Sequence, residues 1–317
     1  LTKYRKADLS RVKTRKASER RTKADIGGEG KAFDPQLPFS DFLSALPGYL
    51  KAKDFLEVAS RIALARKANR SIIWMMGAHP IKVGLSAILA DLIEGGYVSH
   101  LALNGAGAIH DLEMAFFGRT SEEVSEGLSD GSFGMVEETP KLIFEAVCRA
   151  DAEKLGLGEG LGKFIDSSSA EFREHSILRA CYVKDVPASV HIAIGTDTIS
   201  QHPDFDGAAL GRLSQDDFLI FCESAAGLSG GVVLNIGSAV ILPEVFLKAL
   251  NVARNLHGRV EDFTAANFDM IQHYRPNVNV VTRPVADGGS GYTFTGHHEI
   301  MIPLLAAAIK DKYRAIP

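Results

Sequence analysis

Residues 189–211 read SVHIAIGTDTISQHPDFDGAALG, and this stretch decides how the rest of the chain is read. It opens on Val190-His191-Ile192-Ala193-Ile194, an alternating run with the β-branched residues of a buried strand. Gly195 ends the run. A polar loop follows, carrying Thr196, Asp197, Thr198, Ser200, Gln201, His202, Asp204 and Asp206, and Gly207 leads into the helical pattern of Ala208-Ala209-Leu210. A strand that ends in such a loop before a helix is where open α/β sheets hold ligands, outside the carboxyl ends of their strands. The density of titratable groups marks this loop as a candidate site, because loops on a rigid scaffold carry function.

The same strand, loop and helix pattern recurs outward in both directions. SIIWMM at 71–76 predicts a first strand, closed by Gly77-Ala78-His79-Pro80 and followed by a helix over 81–94. A second strand at 98–103 runs directly into Asn104-Gly105-Ala106-Gly107-Ala108-Ile109-His110-Asp111. That is the strand, glycine turn and helix that lets backbone N–H groups approach a pyrophosphate, although His110 stands where a third glycine of the motif belongs. GGVVLN at 230–235 predicts a further strand, and Met270-Ile271 and 278–281 two more. Helices are expected over 41–68 with a break at Pro47-Gly48, and over 121–129, 137–155, 169–183, 217–226, 242–255 and from Glu299. The glycines at 156, 158, 160 and 162 are read as ending the helix before them. Five or six strands separated by helices predict a doubly wound parallel sheet, an α/β fold of about six strands in one large domain over 36–317.

Composition narrows the class. The chain has 317 residues, 46% of them hydrophobic, enough for a large core. No apolar stretch is long enough to span a bilayer, and the first residues are basic with no apolar core, so neither a membrane partner nor a secretory signal is expected. The three cysteines, Cys148, Cys181 and Cys222, are odd in number and form no C-x-x-C pair, which fits a reducing cytoplasm rather than a disulfide framework. Residues 1–30 hold ten Lys/Arg against four Asp/Glu in a chain whose net charge is −4, so the remainder carries −10. The arm over 1–35 is therefore expected to be a tail or to pack on an acidic neighbouring subunit. The acidic body, without RNA-reading motifs, argues against nucleic acid.

Five segments taken in succession resemble deoxyhypusine synthase and its relatives. They are the strand and helix of 71–94 closing on Gly-Gly, LNGAGAIHDLE at 103–113, Asp206-Gly207-Ala208-Ala209-Leu210-Gly211, Gly230-Gly231-Val232-Val233-Leu234, and Ile302-Pro303-Leu304-Leu305-Ala306, spread over 65–312. The resemblance implies a Rossmann-like fold, NAD bound between subunits, and a homo-oligomer, a dimer or a tetramer built from tight dimers. It also implies a small-molecule substrate, an amine or polyamine. The departures are as informative. The family's catalytic lysine lies in a Trp-Gly-Lys segment, and GGSGYTFT at 288–295 has neither Trp nor Lys; its Pro-Lys-His-His is replaced by Ser238-Ala239-Val240-Ile241-Leu242. Without an amine nucleophile the family's imine mechanism has no carrier, so true deoxyhypusine synthase activity is not expected.

Two catalytic readings follow. In the first, which the resemblance implies, the chain is an NAD-binding enzyme that transfers hydride from a small amine or alcohol. His79, Asn104, Gly105, Gly107, Asp111 and His297 are then expected at the cofactor, Asp206 orients the ligand as the family's Asp does, and His202 or His298 is the base. In the second, His191, Asp197, His202 and Asp206 bind a divalent metal for hydrolysis. A non-catalytic nucleotide-binding module is the third reading. His191 is also read as a core histidine, and Glu113 as helix surface.

Overall fold

The computed structural model describes residues 2–316. Six strands form one sheet: β1 (Ile72–Met76), β2 (His100–Asn104), β3 (Ala188–His191), β4 (Val232–Ile236), β5 (Thr264–Asp269) and β6 (Ser290–Thr295). Their order is β3-β2-β1-β4-β5-β6 and every pairing is parallel. Among the described residues thirteen α-helices connect and flank them. Up to the second strand these are α1 (Phe39–Ala45), α2 (Leu50–Lys67), α3 (His79–Lys82) and α4 (Ser86–Glu94). Between β2 and β3 lie α5 (Gly105–Phe117), α6 (Val124–Asp130), α7 (Glu138–Glu153), α8 (Leu157–Ser167) and α9 (Ile177–Val183). Then come α10 (Gly207–Ala226), α11 (Ile241–His257), α12 (Tyr274–Asn279) and α13 (His298–Ala315).

The chain divides into two units, Leu1–Lys53 and Asp54–Pro317. In the first, the basic stretch makes short 3-10 turns at Leu9–Arg11, Ala17–Glu19 and Ile26–Gly28, none of which buries a residue. Phe42 of α1 packs edge-on to Phe33 and stacks on Phe39.

The second unit holds the sheet. Ile72 through Met76 are all buried, as are all of β4 and β5, which is what helices on both faces of a parallel sheet require. Alternation divides the side chains. Ile73, Met75, Val233 and Ala265 join Phe221, Leu242, Phe246 and Leu250 in one core, while Trp74 lies on the opposite face and donates its indole N–H to the Tyr97 carbonyl at 3.1 Å. With β1 and β4 adjacent and the sequence running outward from them in both directions, the sheet reverses its winding between these two strands. Ligand crevices of such sheets open there, at the carboxyl ends.

Several expected boundaries move. The central strand stops at His191 rather than Ile194, because Ile192–Ile194 have left the ladder and Ile194 is 62% exposed. The fifth strand is Thr264–Asp269, whose small Ala265 and Ala266 and polar Asn267 hide a fully buried strand from a search for β-branched runs. Met270-Ile271 lie just beyond it, and 278–281 form the last residues of α12 and the turn after it instead of a strand. The helix expected over 169–183 begins only at Ile177, capped by Ser176, and the one expected from 217 begins at Gly207.

The glycines after α7 do not end it so much as build the next helix. A Cβ on Gly158 would stand 2.2 Å from the Ala188 carbonyl oxygen of β3, one on Gly160 2.4 Å from Ala150 Cβ of α7, and one on Gly162 2.6 Å from the Leu178 carbonyl oxygen of α9. Three glycines at every second position thus let α8 lie against a strand and two helices at backbone distance.

Candidate functional site

The site is built on α5. Asn104 ends β2 and caps this helix, its Oδ1 accepting from the Gly107 N–H at 2.9 Å. The glycine turn read in the sequence is therefore the first turn of the helix itself. Ala106, Ile109, His110, Glu113 and Phe117 recur at helical spacing and form one stripe. That stripe lines a cavity of about 460 Å³, completed by Lys82 of α3, by Arg119 to Glu122 and Val124, by Phe133 and Val136, by Glu138 and Thr139 of α7, and by Thr196, Asp197 and Thr198 of the central loop. Its volume is that of a small-molecule site. It opens at the carboxyl ends of β2 and β3.

A chain of hydrogen bonds crosses the wall of this cavity. Glu113 Oε1 accepts from Thr139 Oγ1 at 2.9 Å, and Glu113 Oε2 accepts from Thr120 Oγ1. Because Thr120 spends its proton on the carboxylate, its oxygen is the acceptor for His110 Nδ1–H. This assigns the tautomer: Nδ1 carries the proton and Nε2 is left basic. His110 Nδ1 also lies 3.6 Å from Glu113 Oε2, an i,i+3 pair on the helix. Burial pushes the Glu113 carboxyl up, but the hydrogen bonds from His110, Thr120 and Thr139 outweigh it and hold the group below its ordinary value. A carboxylate that orients an imidazole in this way is the arrangement of a general base.

Opposite lies Asp197, 8% exposed. Its pKa is raised by burial, against hydrogen bonds from the Ala193 and Ala106 amides. The carboxylate rests on the first turn of α5 so closely that a Cβ on Gly105 would stand 2.1 Å from its Oδ2. Glycine at 105 makes room for this carboxylate.

The residues expected at the site are dispersed, with a reason for each. His79 and His298 meet at the β1–β4 switch point, their rings 5.3 Å apart. Burial lowers the His79 pKa, as do His298 and Lys82, while Glu299 and Asp269 oppose the shift. His298 is completely buried and donates Nε2–H to the Phe268 carbonyl at 3.0 Å, and its Nδ1 has no partner among the described residues. This burial sets it inside the fold rather than free to serve as a base. His297 points outward and sits 3.7 Å from Glu299. Asp111 is fully buried. It accepts from Ser176 Oγ and from the Ile177 and Leu178 amides, so it caps α9 instead of touching a cofactor. Asp206 accepts from the Ala208 and Ala209 amides and caps α10. His202 donates to the Gly134 carbonyl at 2.9 Å, beside the cavity but outside its lining. His191 hydrogen-bonds to Ser189, which also meets His100, itself bound to Ser224. Burial lowers the pKa of His191 to about 4, and burial with His191 lowers that of His100 to about 3, so both are neutral core groups.

The metal reading of His191, Asp197, His202 and Asp206 fails on this placement. Among the described residues no three His, Cys, Asp or Glu side chains gather as ligands. Nor do Asn104, Gly105 and Gly107 present a pyrophosphate cradle. Asp197 takes the Ala106 amide and Asn104 the Gly107 amide, so the donors of the first turn are engaged and a carboxylate stands where a phosphate would lie. Glu113 corrects in the other direction: read as helix surface, it is the anchor of the cavity wall. The signal available was its helical register with Ala106 and His110 on a helix that starts at a strand end.

No protein-family profile matches the chain, and no curated protein matches it in sequence. Solved structures do share its fold. An apo arginine dihydrolase, ArgZ, of the ornithine–ammonia cycle in cyanobacteria superposes with a TM-score of 0.53 at 18% identity, over 86% of this chain and 34% of that one. A conserved protein of Methanococcus maripaludis S2 assigned to the LOR/SDH group gives 0.52 at 14% identity, over 83% and 70%. A protein of Entamoeba histolytica assigned as a deoxyhypusine synthase gives 0.49 at 10% identity, over 88% and 95%. The chain spans about a third of the length of the arginine dihydrolase. The likeness to the first two is one of fold alone, a Rossmann-like α/β sheet, which is the fold class expected from the sequence. Among the described residues no helix is long and apolar enough to cross a membrane.

Proposed function

We propose that this chain is an enzyme acting on a small amine-bearing molecule held in the cavity along α5, with His110 as its general acid and base. One observation carries the reading: the Glu113–Thr120–His110 chain fixes a basic Nε2 on a residue that lines the cavity. Asp197 supplies the second half. A buried carboxylate with a raised pKa that forms no ion pair among the described residues is stabilised by an arriving ammonium group, which replaces the water it has lost. Glu113, Glu122, Glu138 and Asp197 against Lys82 and Arg119 also leave the cavity net negative, which favours a cationic ligand.

The deoxyhypusine synthase resemblance brings NAD into this proposal as a hydride acceptor. Its phosphates do not fit on the first turn of α5, where Asp197 and Asn104 hold the Ala106 and Gly107 amides. A dinucleotide site at the β1–β4 switch point, with His79, Ser238 and Asp269 at the strand ends, is supported by the habit of such sheets to hold ligands where the winding reverses. The four-residue α3 links the two places, since it carries both His79 and the cavity residue Lys82.

Incubation of the protein with a panel of three- to six-carbon amines, with and without NAD+, followed by NMR, tests the reading. The expected result is turnover that falls about a hundredfold or more in His110→Gln, the usual size of a general-base contribution. Turnover that survives His110→Gln unchanged contradicts it.

A further inference from the structure

The carboxylates lining the cavity have contacts of their own, whereas its cations have no carboxylate partner among the described residues. Glu113 is held by His110, Thr120 and Thr139, Asp197 by backbone amides, and Glu122 accepts from the Gly134 N–H at 2.8 Å. Glu138 lies in the field of Lys141 on its own helix. Lys82 and Arg119 line the same cavity, and among the described residues neither makes a salt bridge or a side-chain hydrogen bond to a carboxylate. Among the described residues the cavity therefore presents charge of both signs without an ion-pair partner: a buried carboxylate at Asp197, and the two cations Lys82 and Arg119.

We propose that Lys82 and Arg119 receive a carboxylate of the same molecule whose amine meets Asp197, so that the substrate is a small aminocarboxylate rather than a simple amine or polyamine. This rests on the function proposed above. Arginine offers a planar fork of donors that matches a carboxylate, and lysine adds a mobile point charge. Phosphate, the other anion such a pair receives, brings two charges into a cavity already lined by four carboxylates, and repulsion there works against the dianion more than against a single carboxylate. A zwitterion also enters without changing the net charge of the cavity.

The test is calorimetric titration at neutral pH with three probes of matched length: 5-aminopentanoate, 1,5-diaminopentane and pentanoate. The wild-type protein is expected to bind 5-aminopentanoate about tenfold tighter than either of the others, the size of one charge-assisted contact. The double variant Lys82→Ala/Arg119→Ala is expected to lose that preference and to bind the diamine at least as well as before. Both side chains are exposed, so the variant should keep the wild-type melting temperature. A diamine that binds as tightly as the aminocarboxylate, or a preference that survives the double substitution, overturns the inference while leaving the function standing. Binding of none of the three, or binding unaffected by Asp197→Asn, overturns both.

Discussion

Glu113 and Asp197 face one cavity with their pKa values moved in opposite directions. Burial acts on both, but three side-chain donors hold Glu113 ionised, whereas Asp197 has backbone amides alone. Replacing Glu113 by Gln keeps the shape and removes the charge that orients the imidazole. Turnover in Glu113→Gln is expected to fall about tenfold to a hundredfold, since the anion that orients the imidazole is gone. Unchanged turnover would place Glu113 outside the reaction.

Other single residues report through stability. Burial raises Asp217 to about 8 from 3.8, although the Val190 and Gly158 amides donate to it. The folded protein keeps this proton where the unfolded chain has released it, so stability falls as pH rises through that window and the loss is complete above pH 8. Between pH 6.5 and 8 the unfolding free energy is expected to drop by roughly 1–2 kcal/mol, and Asp217→Asn to flatten the slope. Denaturant titrations at the two pH values check this; a rise over that interval contradicts it. Below pH 6.5 two histidines pull the other way. His100 and His191 refuse protons that the unfolded chain accepts there, so their contribution is lost as pH falls toward 4 and 3, while that of Asp217 persists down to its unfolded value.

At the level of elements, helix α8 depends on its missing side chains. Gly158→Ala drives a methyl into the Ala188 carbonyl of β3, and backbone on both sides leaves little to yield. A loss of about 2–3 kcal/mol is expected by denaturant unfolding, the range for overpacking a tight interface. Gly211→Ala, with open space around it, is the control expected to stay near wild type. Sheet and helices were legible where the pattern was strong. The runs at 71–76, 98–103 and 230–235 announced buried strands, and Gly-rich strand ends announced the parallel winding. They were illegible where small or polar residues did the work: β5 hides in Thr264-Ala265-Ala266-Asn267, and α8 hides in glycines that look like a linker. The site was half legible. Asp197 was flagged by its loop and His110 by its place in the glycine motif. Glu113 was lost because a carboxylate on a helix ordinarily faces water, and only the fold shows Thr120 and Thr139 arriving from elsewhere in the chain to claim it. His298, Asp111 and His191 attracted notice as titratable groups and turned out to be buried partners of backbone and core.

For the molecule as a whole, the account rests on which of two places holds the substrate. One is the cavity along α5, with His110 and Asp197; the other is the β1–β4 switch point, with His79 and His298. The fold, shared with solved structures at 18% identity and below, permits either. Crystals soaked with 5-aminopentanoate decide between them most directly. The account predicts density in the cavity, with the amine against Asp197 and within reach of His110. Density at the switch point, with the α5 cavity holding only solvent, would contradict it.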